Sequence, residues 1–306
     1  MLKRFYVSNF RSLANFEFRP TGLNLLIGPN NAGKTNLCAA MRFLSLTARM
    51  PLEDALREAL GETSNITNVH LADKVMRFEV ELSAFEAQFK YELALLAKPK
   101  FGSSGQALEV LEEKFTVIAG DPPKTNSYVL GRQKTAKEGA GGSGFASILL
   151  KGPDLPTATT LYGVLFGPGG QDSEPFTDLL AALLLGWRYF AFVPEKSRDP
   201  KVLGSTPSLA SDGGNLSRIL HYLHNENERL EKRIIEAARF LEPKLDLISY
   251  NAPSSDSVFM FLEDAKRNRF STQSISDGTL RFLAMAYLIL SAAEQKPRTY
   301  SPPVSY

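Results

Sequence analysis

One cysteine, Cys38, stands among 306 residues, so no disulfide can close within the chain. It lies four residues past Lys34, in a stretch read below as a helix. It is expected to be a small packing residue on a buried helix face rather than a redox group. An excess of charge of one sign is lacking too. The 35 Lys and Arg against 33 Asp and Glu leave a net +2, which gives no general basic field to draw in nucleic acid. One short basic cluster, Lys266, Arg267 and Arg269, reads as a solvated turn. The opening MLKRFYVSNFRSL has neither the apolar stretch nor the small-residue cleavage site of a signal peptide. The longest apolar helical run, around Leu283 to Ala293, is too short and too interrupted to span a bilayer. A soluble, cytoplasmic protein with no membrane segment is expected. Histidine is scarce: there are three, His70, His221 and His224. The last two are spaced i, i+3 on a helix, but without a third ligand they read as a polar helix face, not a metal site.

What is present is apolar material, 43% of the residues, enough for one large or two modest domains. Residues 2–10 alternate (Leu2, Phe5, Val7, Phe10) and predict a first strand. A second apolar stretch, Gly22 to Ile27, predicts a strand running straight into a Gly-rich loop. Leu37, Ala40, Met41 and Leu44 then recur at helical spacing over Asn36 to Leu46. Residues 74–96 and 108–118 alternate apolar with charged side chains and predict antiparallel strands with one wet face. Residues 131–145 are rich in Gly and charge, as a mobile surface loop would be. Pro and Gly punctuate 152–175. Leu179 to Leu185 reads as a short buried helix and Tyr189 to Val193 as a short strand. Residues 215–241 give the clearest helix, with Ser211 or Asp212 to cap it and Pro243 to end it. Ile248 to Tyr250 and Val258 to Leu262 predict two more strands, and Thr279 to Ala292 a second good helix.

Two motifs carry chemistry. Gly28, Pro29, Asn30, Asn31, Ala32, Gly33, Lys34 and Thr35, followed by Asn36, fit G-x-x-x-x-G-K-[ST], the phosphate-binding loop. Gly28 and Gly33 permit backbone angles and close approach that a side chain would forbid. The backbone N–H groups and the start of the following helix would hold the phosphates of ATP. Lys34 would bridge the β- and γ-phosphates, and Thr35 would place its hydroxyl on Mg²⁺. A chance Gly/Asn-rich turn is the rival reading, and the flanking strand and helix weigh against it. The second motif is Ser276, Asp277 and Gly278 ahead of a helix. A serine hydroxyl and a glycine N–H at a helix N-terminus suit an anion, whereas the plain alternative is an N-capped turn. Arg281, on the first turn of that helix, would approach the γ-phosphate of a partner's ATP or make a salt bridge beside it.

Together NFRSL, GPNNAGKTN and SDGTLRFLAMAYLIL resemble the RecF/SMC/OLD-like group of ABC-type ATPases, usually labelled AAA family ATPases. DGGNLSRILHYLHNEN and the strand-rich YELAL to VLEEKF section resemble corresponding segments of that group. The likeness implies an α/β P-loop NTPase of ABC-ATPase type, with a mixed central sheet, an antiparallel β lobe and a helical segment. It implies segments at 1–72 (first part of the ATPase domain), 73–130 (β lobe), 131–210 (Gly/Pro-rich insertion and connecting elements), 211–293 (helices and signature) and 294–306 (a low-order tail). By resemblance Arg11 and Ser12 lie near the nucleotide; a solvated charge at a strand end is the alternative for Arg11. The signature of one protomer would close over ATP on the loop of the other, giving a head-to-tail homodimer with ATP as its glue. DNA and a nuclease partner, in DNA repair or anti-phage defence, enter by family analogy alone. The glutamine that senses the γ-phosphate has three candidates, Gln88, Gln133 and Gln171, with nothing to separate them.

The chain departs from that pattern after Thr279. No apolar strand ending in Asp-Glu follows, and all three histidines precede the signature. PRTYSPPVSY resembles what a frameshift or early stop would append, unless a separate chain supplies the last strands. Phosphoryl transfer needs a held Mg²⁺ and an oriented water, so weakened ATP binding and lost or slow hydrolysis are expected. Two rival functions remain: a catalytically silent nucleotide-binding or interaction subunit, and a small-molecule P-loop kinase. The kinase would need no signature but should show an Arg-rich lid, for which residues 131–137 are the loose candidate.

Overall fold

The computed structural model describes residues 1–48, 50–61, 65–84, 87–99, 106–119, 124–134, 145–150, 184, 186–199, 208–254 and 257–294. They fall into two units, Met1–Arg188 and Tyr189–Tyr306, each with its own apolar core.

The first unit is built on one sheet. Its strands are β1 (Leu2–Phe10), β2 (Leu13–Phe18), β3 (Val75–Ala84), β4 (Ala87–Pro99), β5 (Gln106–Ala119), β6 (Lys124–Lys134) and β7 (Phe145–Leu150). They lie in the order β2-β1-β3-β4-β5-β6-β7, with every neighbouring pair antiparallel. The alternation that predicted the strands also sets the register. Phe78 faces Leu93, Val80 faces Tyr91 and Leu82 faces Phe89, and all six are buried. On the opposite face Arg4 binds Glu17 and Glu79 at 2.7 Å each, a charged row that leaves that side to water. Helices α1 (Lys34–Leu46) and α2 (Leu52–Leu60) belong to the same unit. Phe43 of α1 lies 5.5 Å from Phe78 and 6.2 Å from Phe10, ring centre to ring centre.

In β5 the apolar phase changes. Leu108 and Val110 point inward, and so do Phe115 and Val117, which is impossible on a period of two without an extra residue. The register shifts between Ala94 and Leu95 of the partner strand, leaving Leu111 unmatched, a β-bulge. The bulge turns Glu113 into the core with no exposed surface. There it accepts a hydrogen bond of 2.5 Å from the hydroxyl of Tyr91. Burial first, then the Glu113 carboxylate, hold that phenol well above its usual pKa.

The second unit packs helices on a three-stranded antiparallel sheet, β10-β9-β8, made of β8 (Leu245–Ser254), β9 (Ser257–Asp264) and β10 (Arg269–Ser271). A short helix α3 (Pro194–Ser197) precedes α4 (Leu216–Glu226), α5 (Glu228–Ala238) and α6 (Asp277–Glu294). Leu216, Ile219, Leu220, Ile234, Met260, Leu280 and Leu283 form the centre of its core.

Several expectations need correction. The helix expected over 215–241 is two helices. Asn227 leaves helical geometry (φ −149°, ψ 66°) and its side chain accepts from the Leu230 N–H, which starts α5. The N-cap of α4 is Asn215, whose side-chain oxygen accepts from the Ala210 N–H and makes no cap bond, while Asp212, the expected cap, accepts from the Gly214 N–H. Gly22 to Ile27 forms no strand. Leu23, Leu25 and Ile27 are 82–84% exposed, and among the described residues no strand pairs with them. Tyr189 to Val193 likewise joins no sheet, although Ala191 and Val193 donate to the carbonyls of Ser211 and Asp212. Gly131 to Lys134 continue β6 and Phe145 opens β7, so only 135–144 remain of the expected mobile loop, and they lie outside the described residues. So do residues 152–175, the tail 295–306 and all of the Leu179 to Leu185 helix except Leu184. Cys38 faces outward on α1, because the inward stripe is Leu37, Ala40 and Leu44. Both sheets of the described residues are antiparallel, so the mixed central sheet is not among them.

Candidate nucleotide-binding site

The Gly-rich loop sits directly before α1. Asn31 (φ 66°) and Gly33 (φ 92°) are left-handed at alternate positions. Asparagine tolerates that region and glycine enters it freely, and such alternation turns successive N–H groups toward one side, as an anion requires. The Ala32 N–H donates to the Pro29 carbonyl at 3.3 Å, closing a turn within the loop. Lys34 folds back across it, its Nζ donating to the carbonyls of Gly28 and Pro29 at 2.7 Å each. Thr35 follows on the first turn of α1 with an exposed side chain.

The turn between β1 and β2 braces the loop. Asn9 is buried and left-handed (φ 58°). It donates to the carbonyls of Asp73 and Val75 and accepts from the Asn68 N–H. The Arg11 N–H donates to the Ile66 carbonyl. These bonds fix Arg11 (φ 48°) and Ser12 at the hairpin tip. Ser12 Oγ accepts from Asn36 Nδ2 at 2.7 Å. A methyl group built on Gly33 would meet Ser12 Oγ at 3.1 Å and Leu13 Cδ2 at 3.3 Å. The structure thus brings Ser12, Gly33 and Asn36 together, and it places Arg11 on the same tip.

These residues fit an ATP phosphate chain. A Cβ at Gly33 would press on Ser12 and Leu13 beside the loop, Lys34 would supply the ammonium, and Thr35 would supply a hydroxyl suited to Mg²⁺. Among the described residues no group of three His, Cys, Asp or Glu side chains could hold a metal ion.

In the second unit Ser276 caps α6. Its Oγ accepts from the Thr279 N–H at 3.0 Å and lies 2.8 Å from Thr279 Oγ1. Thr279 in turn donates to Glu242 Oε1 at 2.9 Å. With that hydrogen committed to Glu242, the Ser276 hydroxyl donates to Thr279, so serine, threonine and glutamate form one chain of donors. Arg198 Nη2 donates to the Ile275 carbonyl at 2.8 Å and to Asp277 Oδ1 at 2.7 Å. Sequence reasoning missed Arg198 and Glu242. Arg198 is 79 positions from Asp277, and no local pattern links them.

Other candidates resolve into structure. His224 Nδ1 lies 2.8 Å from the buried Glu231, which also accepts from the Tyr250 hydroxyl at 2.7 Å. His221 and His224 both pack against the Tyr250 ring. Arg267 and Arg269 pair with Glu263, and Asp264 accepts from the N–H groups of Lys266 and Asn268, so that basic cluster is a tight turn. Gln88 is an exposed residue of β4; the Gln133 side chain and Gln171 lie outside what is described. No helix of the described residues is long and apolar enough to cross a membrane.

The family described as AAA ATPase domain matches residues 1–129, a span that holds the loop, the β1–β2 tip and α1. Among solved structures, one described as the SmcHead bound to the C-winged helix domain of ScpA is similar at 10% identity. It covers 94% of this chain and 76% of its own, with a TM-score of 0.45. No curated protein matches the sequence. Over residues 1–129 the chain is thus similar to the AAA ATPase domain.

Proposed function

We propose that this protein binds ATP with Mg²⁺ on residues 28–36 and uses it as a switch that pairs two copies. The observation that carries the reading is the loop itself: left-handed Asn31 and Gly33, the lysine folded over the loop carbonyls, and Thr35 on the first turn of α1. Arg11 and Ser12 form the second wall of the site. Bound ATP would draw the Lys34 ammonium from neutral carbonyls to phosphate oxygens, a stronger, charge-assisted set of bonds.

The pairing part rests on the resemblance of the sequence motifs. Ser276, Asp277 and Gly278 of one copy would close on the nucleotide of the other, in a head-to-tail homodimer of the RecF/OLD-like kind. A role in DNA repair or anti-phage defence, with a nuclease partner, rests on the same resemblance. Hydrolysis would need in addition a carboxylate to orient the attacking water, so the proposal is confined to binding and nucleotide-dependent pairing.

The test is titration of a fluorescent ATP analogue with Mg²⁺, followed by sedimentation velocity with and without ATP. Saturable binding that Lys34→Ala weakens by about 100-fold or more is expected, since the ammonium contacts charged oxygens. Wild-type protein that does not bind, or a Lys34→Ala variant that binds equally well, refutes the reading.

A further inference from the structure

Three consecutive residues in the second unit tie two turns together, and each turn opens a helix. Lys196 Nζ pairs with Asp212 Oδ2 at 2.8 Å, and Ser197 Oγ donates to the Gly213 carbonyl at 2.9 Å. Both hold the Asp212-Gly213-Gly214 turn ahead of α4. Lys196 first, then the Gly214 N–H, hold the Asp212 carboxyl below its usual pKa. Gly213 is left-handed (φ 79°), and a Cβ there would meet Phe192 at 3.1 Å, so this turn is built to one shape.

Arg198, the third residue, reaches the Ser276-Asp277-Gly278 turn. It grips that turn on both sides of Ser276, by the Ile275 carbonyl before it and the Asp277 carboxylate after it. The Arg198 side chain is only 16% exposed, so these charge-assisted bonds are shielded from water on one side. Thr272 Oγ1 also donates weakly to the Arg198 carbonyl, at 3.4 Å.

We propose that Arg198 is a positioning residue for the signature turn. It fixes Ser276 and the Gly278 N–H in the arrangement that receives the nucleotide of a second copy, and it locks that arrangement to the turn that opens α4. Two bonds made by one nitrogen to both neighbours of Ser276 leave the serine little freedom to rotate away. Glu242, through Thr279, braces the same turn from the segment between α5 and β8. The inference rests on the pairing reading above, because only pairing brings a nucleotide to this turn.

The experiment uses the full chain as wild type, Arg198→Ala, Arg198→Lys and Asp277→Asn. Three quantities are measured: affinity for a fluorescent ATP analogue, the ATP-dependent dimerisation constant, and amide hydrogen exchange over residues 277–280 without nucleotide. Arg198→Ala is expected to leave ATP affinity of the isolated chain unchanged, because the phosphate loop belongs to the other unit. It should weaken dimerisation about tenfold or more, the scale of a lost charge-assisted hydrogen bond, and speed exchange at 277–280. Arg198→Lys should restore part of both, since an ammonium can still reach the carboxylate, and Asp277→Asn, an exposed change that leaves the fold intact, should reproduce the loss in milder form. Dimerisation and exchange that are equal in wild type and variants overturn the inference alone. A wild type that binds ATP but never pairs overturns the pairing reading, and the role of Arg198 with it.

Discussion

Replacing Gly33 by alanine puts a single methyl group where the loop has no room for one. Gly33 holds φ +92° and ψ 3°, and a left-handed conformation costs an L-residue about 1–2 kcal/mol. The new Cβ would stand 3.1 Å from Ser12 Oγ and 3.3 Å from Leu13 Cδ2. Ser12 cannot retreat freely, because it holds Asn36 Nδ2 at 2.7 Å; loosening that bond adds about 1 kcal/mol. The total is about 2–3 kcal/mol. The loop is exposed and the segment before it is unpaired, so the backbone can relax locally instead of straining the core. The penalty should therefore fall on nucleotide affinity, about 30- to 140-fold at 1.4 kcal/mol per factor of ten, with the melting temperature unchanged. Titration of a fluorescent ATP analogue against wild type and Gly33→Ala measures it. Adding Ser12→Ala to Gly33→Ala removes the closer contact and should recover about fivefold. Affinity in Gly33→Ala within about threefold of wild type would refute both the left-handed assignment and the Ser12 wall.

Two further outcomes test the cores of the units separately. Tyr91→Phe removes the donor to a fully buried carboxylate and should cost about 2–3 kcal/mol in urea unfolding of the first unit; combining it with Glu113→Leu should recover part, and a loss below about 0.5 kcal/mol would show the pair to be neutral. His221 has its pKa lowered from 6.5 by burial first and then by His224, with Glu231 opposing. The unfolded chain therefore binds protons at this site more readily. Its contribution is complete above pH 6.5 and is lost as pH falls through the lowered folded value. Thermal stability measured on either side of that window should fall on acidification, less steeply in His221→Gln, and parallel curves for the two proteins would count against the assignment.

Much of the fold is legible because period-two alternation and one-sided charge coincide in β1, β3 and β4. The bulge in β5 is not legible in the same way, because plain alternation is expected over 108–118 and only burial shows the inward residues changing parity between Val110 and Phe115. The break at Asn227 is hidden, because Leu223 and Leu230 keep helical phase across it. There the cap chemistry of one side chain outweighs an unbroken apolar stripe. Gly22 to Ile27 misleads in the other direction. Its composition is that of a buried strand, but a strand exists only when another backbone pairs with it. At the site, the motif shows Gly28 to Asn36 directly. Ser12 is placed by the anchoring of Asn9 and Arg11 to residues 66–75, a tertiary matter. Arg198 and Glu242 reach the signature turn through side chains far away in sequence, which no local pattern encodes.

The exposed row Leu23, Leu25 and Ile27 has a consequence for the loop that it feeds. The loop's far end is anchored by α1, but its near end is tethered to a backbone that nothing among the described residues holds straight. Fixing each free residue costs about 1–2 kcal/mol of conformational entropy, and a nucleotide that stills the loop must meet part of that cost. Any strand that captured Gly22 to Ile27 would meet it in advance. Capture and nucleotide affinity are then thermodynamically reciprocal, each strengthening the other by the same factor. Until such capture the same row is an exposed, unpaired stretch of apolar side chains, the kind of segment on which chains can adhere to one another. Adhesion between chains and the nucleotide affinity proposed above would then both turn on the same six residues.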